Sequence, residues 1–191
     1  MRSLLLGVGV LAACGDNMAE PDRPVVVGEC NATVTEVPRE ASGHVEVGTP
    51  ISWRTNPPAS GKHYPVWAGW DRSYEELERG YWMHNLEHGG VALLYRCDDG
   101  CPEVVEQLLD VARAAPIDPL CTAPLRNRLL VVNDPLLPDG IQVAAAAWGV
   151  TYTAECFDDS IATFVTDHIG HGPEAICTEG LTSRGTFIEL E

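Results

Sequence analysis

The chain has no run of apolar residues long enough to cross a bilayer, which takes about 20, the N-terminal run of Leu4 to Leu11 included. It is also poor in positive charge. Twelve Lys and Arg face twenty-eight Asp and Glu, for a net charge of −16. A surface of that sign repels nucleic acid and anionic lipid and attracts cations. The acidic residues are scattered rather than run together, so most of them serve solubility. There is no glycine-rich phosphate loop, no nucleophile elbow and no dinucleotide fingerprint. No repeat or low-complexity segment suggests an array or a disordered tail.

What is present begins with an export signature. Met1-Arg2-Ser3 is a short positive segment, Leu4 to Leu11 an apolar run, and Leu11-Ala12-Ala13-Cys14 resembles the lipobox of bacterial lipoproteins. This predicts a signal peptide over 1–13, a lipidated Cys14 that anchors the protein to a membrane, and a small, acidic tether over 14–24. Residues 25–191 are expected to form one globular domain. The expected location is periplasmic or cell-surface, with the outer membrane weakly preferred because Gly15 rather than aspartate follows Cys14. Seven cysteines minus Cys14 leave six, and an even number in an oxidising compartment implies up to three disulfides of open connectivity. Cys97 and Cys101 lack a second close pair that would make them half of a metal site.

The periodicities outline an α+β domain. Val25 to Val37 reads as one or two strands and His44 to Val47 as another. Thr49 to Trp70 reads as a long loop rich in proline and aromatics, and Asp71 to Arg79 as a helical turn. Val91 to Tyr95 is a buried strand. Pro102 to Ala115 has apolar residues at helical spacing, with Pro102 in the first turn. Leu129 to Val132 and Ile141 to Trp148 are strands separated by a Pro138-Asp139-Gly140 turn, Asp158 to Ile169 is a helix, and Thr186 to Leu190 a last strand. From Val91 onward the order matches a ferredoxin-like, split βαβ core with two helices on one face of an antiparallel sheet.

The chemistry concentrates in His84-Asn85-Leu86-Glu87-His88-Gly89-Gly90. On a helix, His84 and His88 stack on one face about 6 Å apart, the spacing at which two imidazoles hold one metal ion. Gly89 and Gly90 end the helix. His63, in Asn56-Pro57-Pro58-Ala59-Ser60-Gly61-Lys62-His63-Tyr64, supplies a third imidazole. His63, His84 and His88 would leave an open position on the ion, with Met83 a possible soft fourth ligand. Met83 points about 100° away from its neighbour His84, so that role needs a distorted turn. Glu87 would orient an imidazole or act as general base on a bound water. His44 reads as an isolated surface or strand histidine. His168 and His171 read as core or helix-end residues.

These two segments resemble a bacterial family of exported proteins known only as domain of unknown function 3105. The resemblance rests on Pro57, Pro58, Ser60, Gly61, His63 and Tyr64, then His84 to Gly90. Ala147-Trp148-Gly149 and Pro173-Glu174 are weaker landmarks. It runs from about Trp53 to about Glu174, with Lys62 standing where proline is expected, and it implies no activity.

Three functional readings follow. The first is a transition-metal protein, with copper as the favoured ion outside the cytoplasm and zinc second. The second is a binding or structural module whose Tyr64, Trp67, Trp70, Tyr81 and Trp82 line an aromatic groove. In the third, His84-x-x-Glu87-His88 matches the H-x-x-E-H pattern of inverted zinc peptidases, a metal-dependent hydrolase with Glu87 as base. Gly89-Gly90 makes the helix short for that parallel, and whether the protein is an enzyme stays open.

Overall fold

The computed structural model describes residues 23–97, 100–181 and 186–188. The signal peptide, Cys14 and nearly all of the tether lie outside these residues, as does Leu190. In chain order the elements are β1 (Val25–Val26), β2 (Thr33–Glu36), β3 (Gly43–His44), β4 (Lys62–His63), β5 (Arg72–Tyr74), α1 (Arg79–Glu87), β6 (Val91–Tyr95), α2 (Pro102–Ala114), β7 (Leu129–Asn133), β8 (Val143–Ala147), β9 (Val150–Ala154), α3 (Ser160–His168) and β10 (Thr186–Phe187). The fold is α+β. An eight-stranded sheet runs in the order β1-β2-β9-β8-β6-β7-β5-β10, and β3 and β4 form a separate parallel pair.

The central strands are apolar at nearly every position, because both faces of the sheet are covered. Successive side chains point to opposite faces. Val91, Leu93, Leu129, Val131, Val143 and Ala145 pack with Leu108 and Ala112 of α2 and Ile161, Phe164 and Val165 of α3. Ala92, Leu94, Leu130, Val132, Ala144 and Ala146 pack on the other side with Trp82, Met83 and Leu86 of α1 and Trp70 of the long loop. The molecule is therefore three layers deep, with α1 and the long loop forming one of the outer layers.

The strand order corrects the split βαβ topology. In a split unit a third strand separates the two parallel strands, whereas β6 and β7 are direct parallel neighbours joined through α2. Strand β8 pairs antiparallel on the other side of β6, and β10 lies at the far edge against β5. Linear element order does not encode which strands pair, and that is where the expectation failed. Two further elements differ from the sequence reading. Arg72–Tyr74 is a strand parallel to β7, not a helical turn. Val150–Ala154 forms a hairpin with β8 across Gly149 and carries the N-terminal strand β2 on its outer edge.

The six cysteines pair as Cys30–Cys156, Cys97–Cys101 and Cys121–Cys177. No helix among the described residues is long and apolar enough to cross a membrane.

Candidate metal centre

Helix α1 carries the centre. Every residue from Gly80 to Glu87 is buried. An amphipathic helix hides one stripe, whereas a helix hidden all round lies between two layers. Here the layers are the sheet and the long proline-rich loop. Asn85 fastens the loop to the helix with two hydrogen bonds to one residue. Its Oδ1 accepts from the Ala68 N–H at 2.9 Å, and its Nδ2 donates to the Ala68 carbonyl at 2.9 Å.

The end of α1 is closed by its glycines. Gly89 turns the chain at φ 81°, a left-handed conformation that favours glycine. The 170–174 segment then crosses directly over the helix end. The Gly170 N–H donates to the Gly89 carbonyl, and the Glu174 N–H to the Glu87 carbonyl. A Cβ on Gly172 would stand 2.6 Å from the Glu87 carbonyl oxygen, so only glycine permits this crossing. Its result is to bring Glu174 to His88.

The short parallel pair delivers two more imidazoles. His44 on β3 and His63 on β4 are cross-strand partners. Their ring centroids are 5.0 Å apart, and those of His44 and His63 lie 4.9 and 4.8 Å from that of His84. Donor atoms of His44, His63, His84 and Glu87 all fall within 4.8 Å of one another. A second set with the same spread comprises Glu87, His88 and Glu174. The structure thus joins His63 and His84 to His44, which does not stand alone, and places His88 against His84 and Glu174. Met83 packs in the apolar layer with Trp82 and Leu86. His168 lies at the end of α3 with its ring 4.5 Å from Phe164, outside both sets.

His44 and Glu174 were missed as donors for different reasons. The short β3–β4 pairing that carries His44 leaves no periodicity to read. Glu174 did carry a signal, as part of the Pro173-Glu174 landmark, but nothing local to it shows that its segment crosses α1.

The hydrogen bonds fix which ring nitrogens are available. His63 Nδ1 is 2.9 Å from the Gly61 carbonyl oxygen and His84 Nδ1 is 2.7 Å from that of Tyr64. A carbonyl only accepts, so both rings carry a proton on Nδ1. In the neutral imidazole the lone pair is then on Nε2. His63 Nε2 stands 2.9 Å from Glu87 Oε2, so a neutral ring turns its lone pair toward the carboxylate and a protonated ring donates to it. His84 Nε2 stands 3.1 Å from His88 Nε2. If His88 carries its proton on Nε2 it can donate to His84, but its buried Nδ1 then keeps a lone pair with no partner among the described residues. If the proton is on Nδ1, two lone pairs meet. The His63–Glu87 contact is also of the length that two adjacent ligands show around one ion bonded at about 2.0–2.1 Å.

Electrostatics keep these rings available. Burial holds His88 down at about 4, with the neighbouring His84 adding to the effect. Burial also lowers His84. Burial pushes the Glu87 carboxyl up, but the Ser42 hydroxyl, which donates to it at 2.6 Å, and the His63 and His84 rings outweigh this and hold it below the ordinary carboxylate range. At neutral pH the pocket offers the uncharged imidazoles of His84 and His88 beside the anionic Glu87 carboxylate.

His63, His84 and His88 are 0, 3 and 2 % exposed, whereas His44 is exposed and the Glu174 side chain half-exposed. The inner imidazoles are buried, and the rim formed by His44 and Glu174 opens to solvent. The aromatic residues do not form a groove. Tyr64, Trp70, Tyr81 and Trp82 are all buried, and of the five only Trp67 stays partly accessible, its ring tilted to that of His84 and edge-on to that of His88 at centroid distances of 5.2 and 4.6 Å. An aromatic binding groove is therefore replaced by aromatic packing around the histidines.

The structure thus defines an α+β protein with a buried histidine–carboxylate centre that could hold a metal. Residues 44–179 match the family described as "Protein of unknown function (DUF3105)", and the chain belongs to that family. No curated protein and no solved structure matches it significantly.

Proposed function

We propose that this protein is a lipid-anchored extracytoplasmic protein that binds a transition metal through His63 and His84, with His44, His88, Glu87 and Glu174 completing the donor set. One observation carries the reading. Two buried imidazoles have their Nδ1 protons committed to backbone carbonyls, which leaves Nε2 as the nitrogen free to bind an ion and turns it toward Glu87 in His63 and toward His88 in His84. Burying unmatched acceptors costs free energy, and a cation at their meeting point offsets that cost.

Copper is the first choice and zinc the second. The six remaining cysteines are paired, so imidazole and carboxylate are the donors on offer, and this set suits both ions. Glu87 reads as a ligand more than as a general base. Its carboxylate is engaged on both oxygens and held in the ionised form, whereas a base working near neutrality needs a raised value. Anchorage through Cys14 and a place in the periplasm or on the cell surface belong to the same proposal and rest on the lipobox-like segment alone.

The test is elemental analysis of the full chain purified from the membrane fraction, beside His84→Ala. Stoichiometric copper or zinc in the wild type and its loss in the variant is the expected result. Equal metal content in the two proteins would sink the proposal.

A further inference from the structure

The donor set is larger than one ion needs and it is divided. Six side chains converge: four imidazoles and two carboxylates. A closed zinc site takes four ligands. The donors fall into two overlapping sets, and Glu87 belongs to both. On one side of it stand His44, His63 and His84; on the other stand His88 and Glu174, with His88 Nε2 at 3.2 Å from Glu174 Oε2. Carboxylates have two oxygens and bridge paired ions, whose usual separation in two-metal sites is about 3.5–4 Å.

We infer that the centre is built for two transition-metal ions bridged by the Glu87 carboxylate, the first held by His44, His63 and His84 and the second by His88 and Glu174. The inference rests on the metal-binding reading above and goes beyond it in the number of ions and the role of Glu87.

The two positions are not equivalent. In the first, the rings of His63 and His84 are oriented by their Nδ1 hydrogen bonds to Gly61 and Tyr64. Such anchoring of a ligand imidazole is typically worth ten- to a hundredfold in affinity. In the second, His88 is 2 % exposed and its Nδ1 has no such anchor among the described residues, while Glu174 is half-exposed. The first ion therefore binds tightly, and the second more weakly, by about ten- to a hundredfold. The second also exchanges more readily, because two side chains besides the bridge hold it against three for the first.

Titration of Cu(II) into the chelator-stripped full chain, read by bound metal and by electron paramagnetic resonance, tests this. The expected result is two equivalents, with the single-ion Cu(II) signal rising with the first and falling as the second couples to it through Glu87. Glu174→Gln, at a half-exposed position that leaves the fold intact, should keep one equivalent and lose the fall. One equivalent in both proteins would overturn the pair while leaving the single-ion reading standing. Two equivalents whose signals simply add would overturn the bridge. No bound copper in the wild type would overturn the pair, and no bound zinc in a parallel titration would overturn the metal-binding reading with it.

Discussion

The two faces of the central sheet are built from the same strands and solve opposite problems. On the α2–α3 face, alternate residues of β6, β7 and β8 meet two helices through apolar side chains alone. On the α1 face, the intervening residues of the same strands meet a helix that also carries His84, Asn85, Glu87 and His88 into the interior. The first face is a core that stabilises by removing apolar surface from water. The second spends part of that stabilisation on buried polar groups, and a protein keeps such groups where they are used. The difference teaches that the α1 face is the functional one, and that the α2–α3 face is the platform holding it.

Substitutions on the two faces should break differently. Leu93→Ala, in the apolar layer, is expected to destabilise the protein by about 2–5 kcal/mol through lost burial and a residual cavity, while metal bound per folded molecule stays unchanged. Denaturant unfolding with metal analysis checks both halves. On the other face, His84→Ala should weaken metal binding by a hundredfold or more, on the order of 2.7 kcal/mol, with a smaller loss of metal-free stability. Competition against a chelator of known affinity measures it, and unchanged affinity would erase the contrast between the faces.

Acidification should act mainly through the α1 face. The unfolded chain takes up a proton on His88 near the ordinary histidine value, whereas the folded protein does so only near 4. Between those values the unfolded state binds more protons, so stability rises with pH. The metal-free protein is therefore fully stable above about 6.5 and loses up to about 3 kcal/mol from His88 as the pH falls toward 4. His84 shifts in the same direction and adds to the loss. The lowered His168, beside Phe164 on the apolar face, contributes in the same sense. His88→Asn should flatten the profile of unfolding free energy against pH. A slope unchanged by that substitution would show that the loss comes from elsewhere.

The smallest expected effect separates the loop from the helix that carries the ligands. Asn85→Ala leaves the Ala68 N–H and carbonyl unmatched in the interior, which costs about 1–3 kcal/mol. It should also loosen the loop that delivers His63, so affinity for metal falls although no ligand is removed. Amide hydrogen exchange along the 49–70 segment reports that loosening directly.

The same contrast explains how much was legible in the sequence. The apolar runs of β6 and β7 and the helical spacing in α2 and α3 are local patterns, and they gave the α+β class and the two helices on one face. The pairing of β6 with β7 is not local, and the ferredoxin-like order failed there. At the site, His84 and His88 were visible because a helix brings residues four apart together, and His63 because it sits in a motif of its own. His44 and Glu174 reach the same place by a two-residue parallel pairing and by a glycine crossing over a helix end. Neither device leaves a periodicity to read.

The central claim is that the lone pairs of His63 and His84 converge to hold a metal ion. Crystals of the chelator-stripped protein, soaked in copper and measured on either side of the copper absorption edge, test it most directly. The account predicts an anomalous peak about 2.0–2.1 Å from the Nε2 atoms of both His63 and His84. Peaks confined to surface carboxylates, with the buried imidazoles bare, would contradict it.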